Sequence, residues 1–172
     1  MRPVIVSRYL VVAHQTADSP TLLTRLKGLA EKDPEAEFQV LSPVRPLSLA
    51  LLISGETRTP WQIAWWRARR TERRLNAAGL NVVGARPGLR DPWLDPVERI
   101  EHELRFHGPY RAVVISTFAS PWSEWLRRGV PHRLARRHRD VQVVHVTAPD
   151  WFYREPDLVT KVGQNPTTPL EL

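Results

Sequence analysis

A turn of small residues followed by a basic helix start could bind an anion in the second half of the chain. Ser116 and Ala119 follow a strongly apolar run, and Pro131 is placed as the first residue of a helix whose first turn contains His132 and Arg133. Backbone N–H groups at a helix start have no intrahelical partner and attract negatively charged groups. Cations in that turn oppose the helix dipole at a cost of about 0.3–1 kcal/mol each, and a bound phosphate would turn this cost into attraction. The pattern therefore predicts a phosphate-binding turn, with a general enrichment in arginine as the competing explanation.

The other polar clusters do not form a catalytic or metal-binding pattern. His102 and His107 are five residues apart, so on a helix they diverge by about 140°, whereas a zinc-binding pair needs a spacing of four. The sequence has no cysteine, no Walker A lysine motif and no nucleophile-elbow motif. His145 lies in an apolar run, and we interpret it as a packed or interface histidine. We therefore expect no metal ion and favour a protein that is not an enzyme.

Five short apolar runs alternate with helical patterns along the chain. The runs cover residues 9–13, 38–41, 80–85, 112–116 and 141–146. The first, third and fourth runs are almost continuous in aliphatic residues, as is typical of strands buried on both faces. The strict alternation of strands and helices predicts an α/β fold with one doubly wound, five-stranded parallel sheet and helices on both faces.

Capping residues mark the helices between these strands. Ser19 precedes Pro20 at the start of the first helix, and Gly79 ends the second helix. Asp91 is predicted as the N-cap of the third helix, which ends before Gly108. With the helix that opens at residue 131, these signals predict four helices.

The carboxyl ends of the first and fourth strands are the expected position of a ligand. In doubly wound sheets, ligands bind beyond the carboxyl ends of the strands, where the strand order reverses. This rule places residues 13–16 (Ala-His-Gln-Thr) beside residues 116–119 (Ser-Thr-Phe-Ala). Trp122 and Trp125 fall close to this turn, and their helical spacing favours packing over contact with a nucleotide base.

The order of elements over residues 8–147 resembles the universal stress protein family, whose members have a single α/β domain related to the adenine-nucleotide alpha-hydrolase fold. The family's phosphate motif is Gly, two residues, Gly, nine residues and Gly-Ser/Thr after the fourth strand. Its spacing is kept here by Ser116, Ala119 and Gly129, with Val130 in place of the hydroxyl residue. The family's acidic residue after the first strand corresponds to His14.

The resemblance implies a binding site for ATP or another adenine nucleotide. Backbone amides of residues 129–133 would hold the phosphates, the turn at residues 116–119 would shape the pocket, and His14 and residues 40–41 would face the nucleoside. The residues that the resemblance assigns to the ligand are Ala13, His14, Gln15, Val40, Leu41, Ser116, Thr117, Ala119, Gly129, Val130, His132 and Arg133. The leading function is a non-enzymatic, stress-related sensor or regulatory module that binds an adenine nucleotide or another phosphorylated small molecule.

Two alternatives remain open. Serine and alanine at the first two motif positions add a Cβ that hinders close approach of the backbone to a phosphate, which favours a vestigial pocket in a structural or interaction protein. Such a protein would act through the apolar loop at residues 47–53 and the aromatic residues 151–153. An enzyme of the nucleotidyl-transfer or hydrolase type is the third possibility, although the sequence has no acid, base or nucleophile pattern for it.

The fifth strand is expected to form a homodimer. Its free edge, at residues 141–146, would be an aggregation hazard, and pairing across a two-fold axis would cover it. Domain organisation is predicted as an α/β domain over residues 1–147 and an irregular tail over residues 148–172 that docks on the body or on a second subunit.

The composition is that of a globular cytoplasmic protein. No apolar run approaches the roughly 18 residues that a membrane span needs, and the first residues lack a signal-peptide core, so we expect no membrane association and no export. The formal net charge is +7, which suggests nucleic acid as a partner. However, 22 of the 25 basic residues are arginines spread over several helices, so we do not expect specific nucleic-acid binding.

Overall fold

Five parallel strands form the central sheet. They are β1 (Arg8–Val12), β2 (Glu37–Ser42), β3 (Val82–Pro87), β4 (Ala112–Thr117) and β5 (Gln142–Thr147). Their order is β3-β2-β1-β4-β5, and every neighbouring pair is parallel. The structure is a computed structural model that describes residues 7–13, 15–47, 52–53, 55–119 and 123–152. The predicted five-stranded parallel sheet is confirmed.

Helices follow the strands in alternation. They are α1 (Pro20–Lys32), α2 (Pro60–Ala77), α3 (Pro96–His107), α4 (Glu124–Arg127) and α5 (Val130–Arg137), and a 3₁₀ turn at Asp150–Phe152 follows β5. Proline in the first turn of α1, α2, α3 and α5 presets the helical φ at a position where the missing N–H costs nothing. Thr59 and Gln62 form a reciprocal capping box at the N-terminus of α2.

The helices cover both faces of the sheet, so the strands carry two cores. Alternate residues of β1 point to opposite faces. One core contains Tyr9, Val11, Leu22, Leu26 and Leu75, and therefore packs α1 and α2 on the sheet. The other core contains Leu10, Val12, Ile100, Trp125, Val130 and Leu134, and therefore packs α3, α4 and α5 on the opposite face. The predicted helices on both faces are confirmed.

The third strand differs from its prediction. It runs from Val82 to Pro87, about two residues later than expected, and lies at the edge of the sheet. Val83 is 46% exposed, so the prediction that this strand is buried on both faces is wrong. The second strand, in contrast, lies in the interior of the sheet, because it pairs with β1 on one side and β3 on the other.

Two helix starts also differ from their predictions. Asp95 caps α3, with a side-chain oxygen that accepts a 2.9 Å hydrogen bond from the Val97 N–H. Asp91 instead closes the preceding turn by accepting from the Trp93 N–H. Pro131 is the second residue of α5 rather than the first, since Gly129 is the N-cap. The helix starts one residue earlier because glycine accepts the left-handed conformation that this position has, with φ of 62°.

The apolar loop and the tail are described only in part. Leu47 packs against Ile63 on α2, while residues 48–51 lie outside the described residues. Of the tail aromatics, Trp151 is 69% exposed and therefore does not dock on the described body, and Tyr153 lies outside the described residues. The last strand, β5, ends at Thr147. Among the described helices, none combines the length and apolar character needed to cross a membrane.

Candidate functional site

The strand order reverses between β1 and β4. From β1 the chain builds β2 and β3 on one side and then returns to β4 and β5 on the other. Crossover segments therefore leave these two neighbouring strands in opposite directions and open a crevice at their carboxyl ends. The cavity in this crevice has a volume of about 50 Å³. It is lined by Gln15, Thr16, Arg45, Ser116, Thr117, Phe118, Ser123, Glu124 and Trp125.

Two buried hydroxyl groups in this cavity have no hydrogen-bond partner among the residues that the structure describes. Thr16 is 2% exposed and Ser116 is 5% exposed, and neither Thr16 Oγ1 nor Ser116 Oγ is paired. Ser42 Oγ, at the carboxyl end of the neighbouring β2, is unpaired as well. A buried hydroxyl without a partner costs about 1–3 kcal/mol. The cavity can therefore hydrogen-bond to a polar ligand without giving up a bond inside the protein.

An ion pair stands beside these hydroxyls. Arg45 follows β2, Glu124 begins α4, and the distance from Arg45 Nη2 to Glu124 Oε2 is 2.6 Å. Both side chains line the cavity, and they are 36% and 45% exposed. This pair links the β2 side of the crevice to the segment that follows β4.

Further ion pairs continue from Glu124 to α5. Arg128 lies 3.7 Å from Glu124 and 2.9 Å from Asp95, and Asp95 also pairs with Arg133 at 3.1 Å. Burial raises the pKa of Asp95, but hydrogen bonds from Arg133 and from the Val97 N–H outweigh it and hold the pKa below its ordinary value. The guanidinium that was predicted to attract a phosphate is thus already neutralised by the N-cap of α3.

The predicted phosphate residues lie around the start of α5 rather than in the cavity. Gly129 is the left-handed N-cap, and the Arg133 N–H donates to its carbonyl at 2.9 Å. Val130 is fully buried in the core on the α3–α5 face. His132 is exposed to solvent. The structure brings none of these residues among those that line the cavity.

The remaining predicted residues divide into three groups. Gln15, Ser116 and Thr117 line the cavity. Ala13, Val40 and Leu41 are buried within the two cores, and the half-buried Ala119 follows β4 without lining the cavity. His14 lies outside the described residues, as does Trp122, whereas Trp125 both packs in the core and lines the cavity.

Thr117 and His145 form the one hydroxyl–imidazole pair at this edge of the described sheet. Thr117 Oγ1 lies 2.8 Å from His145 Nε2, and burial lowers the pKa of the imidazole. Among the described residues, no carboxylate hydrogen-bonds to His145 to orient the ring. The pair therefore lacks the third group of a nucleophilic triad.

Positive charge accumulates on the β2 side of the crevice. Burial is the main cause that lowers the pKa of Arg67 to about 10. The positive charges of Arg45, Arg58 and Arg70 lower this pKa further, and the negative charge of Glu56 raises it. Arg67 therefore lies near three further arginines, of which Arg45 pairs with Glu124, Arg58 with Glu56 and Arg70 with Asp18.

Sequence reasoning missed Arg45, Ser123 and Glu124 as site residues. Arg45 follows the carboxyl end of a parallel strand, so the rule that located residues 13–16 and 116–119 would have found it if applied to the second strand. Glu124 follows Ser123, whose side chain caps α4 by accepting from the Leu126 N–H, and that cap is a readable signal. Within the described ranges, no group of three or more metal-ligating side chains is placed to hold an ion.

No protein-family model matches the sequence, and no curated protein matches it significantly. Among solved structures, a universal stress protein in complex with cAMP is 18% identical, with a TM-score of 0.51 over 83% of this chain and 98% of that one. A protein from the universal stress protein family from Burkholderia pseudomallei is 17% identical, with a TM-score of 0.46 over 83% of this chain and 96% of that one. At these identities the likeness concerns the fold. The universal-stress-protein-like fold expected from the sequence is confirmed.

Proposed function

We propose that this chain is a non-enzymatic, stress-related sensor or regulatory module of the cytoplasm that binds a phosphorylated small molecule in the crevice between β1 and β4. The observation that carries the proposal is the pair of buried, unpaired hydroxyls of Thr16 and Ser116 in the cavity. A chain that needed no ligand there would gain stability from apolar side chains at both positions. An adenine nucleotide is the first candidate, because the neighbour of the same fold was solved with cAMP.

A whole nucleotide requires the crevice to open. The cavity of about 50 Å³ is well below the roughly 300 Å³ of a typical small-molecule pocket. The Arg45–Glu124 pair lies at this cavity, so separation of the two side chains would widen the site. The start of α5, predicted from the motif spacing, is the alternative position for the phosphates, but the Gly129 and Arg133 N–H groups already donate to the Leu126 and Gly129 carbonyls and Pro131 has no N–H.

Native mass spectrometry and thermal-shift titrations test the proposal. The purified chain should carry an adduct, or its melting temperature should rise with the concentration of ATP, ADP, AMP or cAMP. At a ligand concentration of 100 times the Kd, linkage predicts that binding adds about 2.7 kcal/mol to the free energy of unfolding. Ser116→Leu should fill the cavity and abolish the response, whereas Ala135→Leu, on the exposed side of α5, should leave it unchanged. Neither an adduct nor a shift with any phosphorylated ligand would leave the structural protein with a vestigial pocket.

A homodimer through β5 is the second part of the proposal. No other strand of the described residues covers the outer edge of β5. Gln142 and Ala148 donate their N–H groups toward the β4 side, to Arg111 and Thr117, and in a parallel strand alternate N–H groups point to opposite sides. The N–H groups of the residues at 143 and 145 therefore face outward and can pair with a second copy.

The mass of the chain in solution tests the dimer. Val143→Pro removes one outward N–H without breaking the β4 ladder, so the variant should elute as a monomer in light-scattering chromatography. Ala85→Pro at the other edge strand, β3, is the matched control and should keep the dimer mass, because the Gly88 N–H donates toward β2 and the alternating Ala85 N–H therefore faces away from it. A wild-type chain that is monomeric at every concentration would contradict this part.

A further inference from the structure

We propose that Arg45 receives the phosphate of the ligand and that Glu124 is an internal counter-ion that this phosphate displaces. The inference rests on the proposed function, because ligand and ion pair share one cavity. It moves the anion-binding role from the glycine-motif positions to a loop after β2. The ligand class that follows is a phosphate monoester, whose terminal oxygens match the planar fork of a guanidinium.

The backbone around Arg45 holds its side chain in place. Pro43 and Pro46 restrict φ on both sides of it, and Val44 is fully buried. The side chain of Arg45 reaches from this loop toward Glu124 and the cavity. A preorganised guanidinium loses little conformational entropy when it exchanges one anion for another.

Glu124 is suited to displacement. The Arg45–Glu124 pair is partly exposed, and such pairs contribute little stability. Glu124 also lies 3.7 Å from Arg128, so a partner remains when Arg45 turns to a ligand. A phosphate could also accept hydrogen bonds from the Thr16 and Ser116 hydroxyls, which among the described residues have no partner and so are not bound by the carboxylate of Glu124.

The surrounding charges favour an added anion. Arg45, Arg58 and Arg70 lie close enough to Arg67 for their charges to act on it. Within the described residues, Glu56 pairs with Arg58 and Asp18 pairs with Arg70. At the start of α5, Arg133 likewise has a carboxylate partner, Asp95. A phosphate at Arg133 would have to displace Asp95, which the Val97 N–H and Arg128 also hold, whereas a phosphate at Arg45 would displace only Glu124.

Isothermal titration with AMP, with adenosine as the uncharged comparison and inorganic phosphate as the minimal probe, tests the inference. Arg45→Gln should weaken AMP binding about tenfold or more, because a charge-assisted fork is lost. Glu124→Gln should tighten AMP and inorganic phosphate by about two- to fivefold, because the competing carboxylate is gone. Arg69→Gln and Glu72→Gln remove a similar pair on α2, at 2.8 Å, and should change neither affinity.

The outcomes separate this inference from the proposed function. If the wild type and Glu124→Gln both bind neither AMP nor phosphate, the proposed function itself fails. If the wild type binds AMP and Arg45→Gln binds it equally well while remaining folded by circular dichroism, the ligand site stands and the role of Arg45 is overturned. Loss of binding in Arg133→Gln but not in Arg45→Gln would place the phosphate at the start of α5. Equal affinity for AMP and adenosine would also overturn the inference.

Discussion

Thr117 Oγ1 and His145 Nε2 lie 2.8 Å apart across β4 and β5, and burial lowers the pKa of this imidazole. The folded chain therefore favours neutral His145, and the unfolded chain binds more protons just below the ordinary histidine pKa of about 6.5. The sign follows from linkage: this contribution to the free energy of unfolding is present above about pH 6.5 and is lost as the pH falls toward the lowered pKa. His145→Gln should flatten the pH dependence of unfolding by urea between about pH 7.5 and 5. An unchanged slope in the variant would contradict the prediction.

Thr16→Val should stabilise the ligand-free chain. The substitution keeps the shape of the side chain and removes a buried hydroxyl that has no partner within the described part of the chain, so we expect the free energy of unfolding to rise by about 1 kcal/mol. Thr71→Val is the matched control, because Thr71 is similarly buried but donates a 2.9 Å hydrogen bond to the Arg67 carbonyl. That variant should be destabilised. Chemical denaturation of both variants measures the difference, and a loss of stability in Thr16→Val would mean that the hydroxyl is satisfied in solution.

Tyr110→Phe should destabilise the fold by about 1–3 kcal/mol. The phenol donates a 2.7 Å hydrogen bond to Oε1 of Glu103, a buried residue of α3. Burial and this carboxylate together raise the pKa of Tyr110. Removing the hydroxyl takes the short hydrogen bond from Oε1, which then has only the Arg86 guanidinium at 3.8 Å, while His107 Nδ1 stays 3.0 Å from Oε2.

Tyr9→Phe serves as the comparison for that variant. Tyr9 donates to Asp33 at 3.2 Å, but Arg111 also pairs with Asp33 at 3.2 Å, so the carboxylate keeps a partner. We expect a smaller loss of stability in equilibrium urea unfolding than for Tyr110→Phe. The reverse order of the two losses would show that Glu103 is not held by Tyr110.

Thr59→Ala should cost about 1 kcal/mol by removing the N-cap of α2. Thr59 Oγ1 accepts from the Gln62 N–H at 3.2 Å, and Gln62 Oε1 accepts from the Thr59 N–H at 2.8 Å. Thr24→Ala, at an exposed position within α1, is the control and should be neutral or slightly stabilising because alanine is the better helix former. The melting temperatures of the two variants give the comparison.

Much of the fold was predictable because it depends on local signals. Ser19 before Pro20 starts α1, Gly79 follows α2 with a φ of 87°, and β-branched runs mark the strands. The third strand was misjudged because apolar composition does not distinguish an interior strand from an edge strand. Val83 is half exposed in a run as apolar as that of β4. The strand order explains this exposure, because β3 lies at the edge of the sheet.

The candidate site was predictable only where it depends on topology. The carboxyl-end rule brought Gln15, Ser116 and Thr117 to the cavity. The Arg45–Glu124 contact joins residues 79 apart in the sequence, and no spacing signal reports such a pair. The sequence likewise contains no signal that Asp95 pairs with Arg133, because this ion pair depends on how α3 and α5 lie against each other.

The reversal of strand order has a consequence for how this molecule can change. The crevice results from chain connectivity, because the segments after β1 and β4 must separate whichever residues they contain. Replacing glycines in the turn after β4 alters which chemical groups line the opening but cannot remove it. Proteins with this connectivity can therefore exchange one ligand for another through substitution of a few side chains. The fold keeps the crevice but does not determine which ligand binds there.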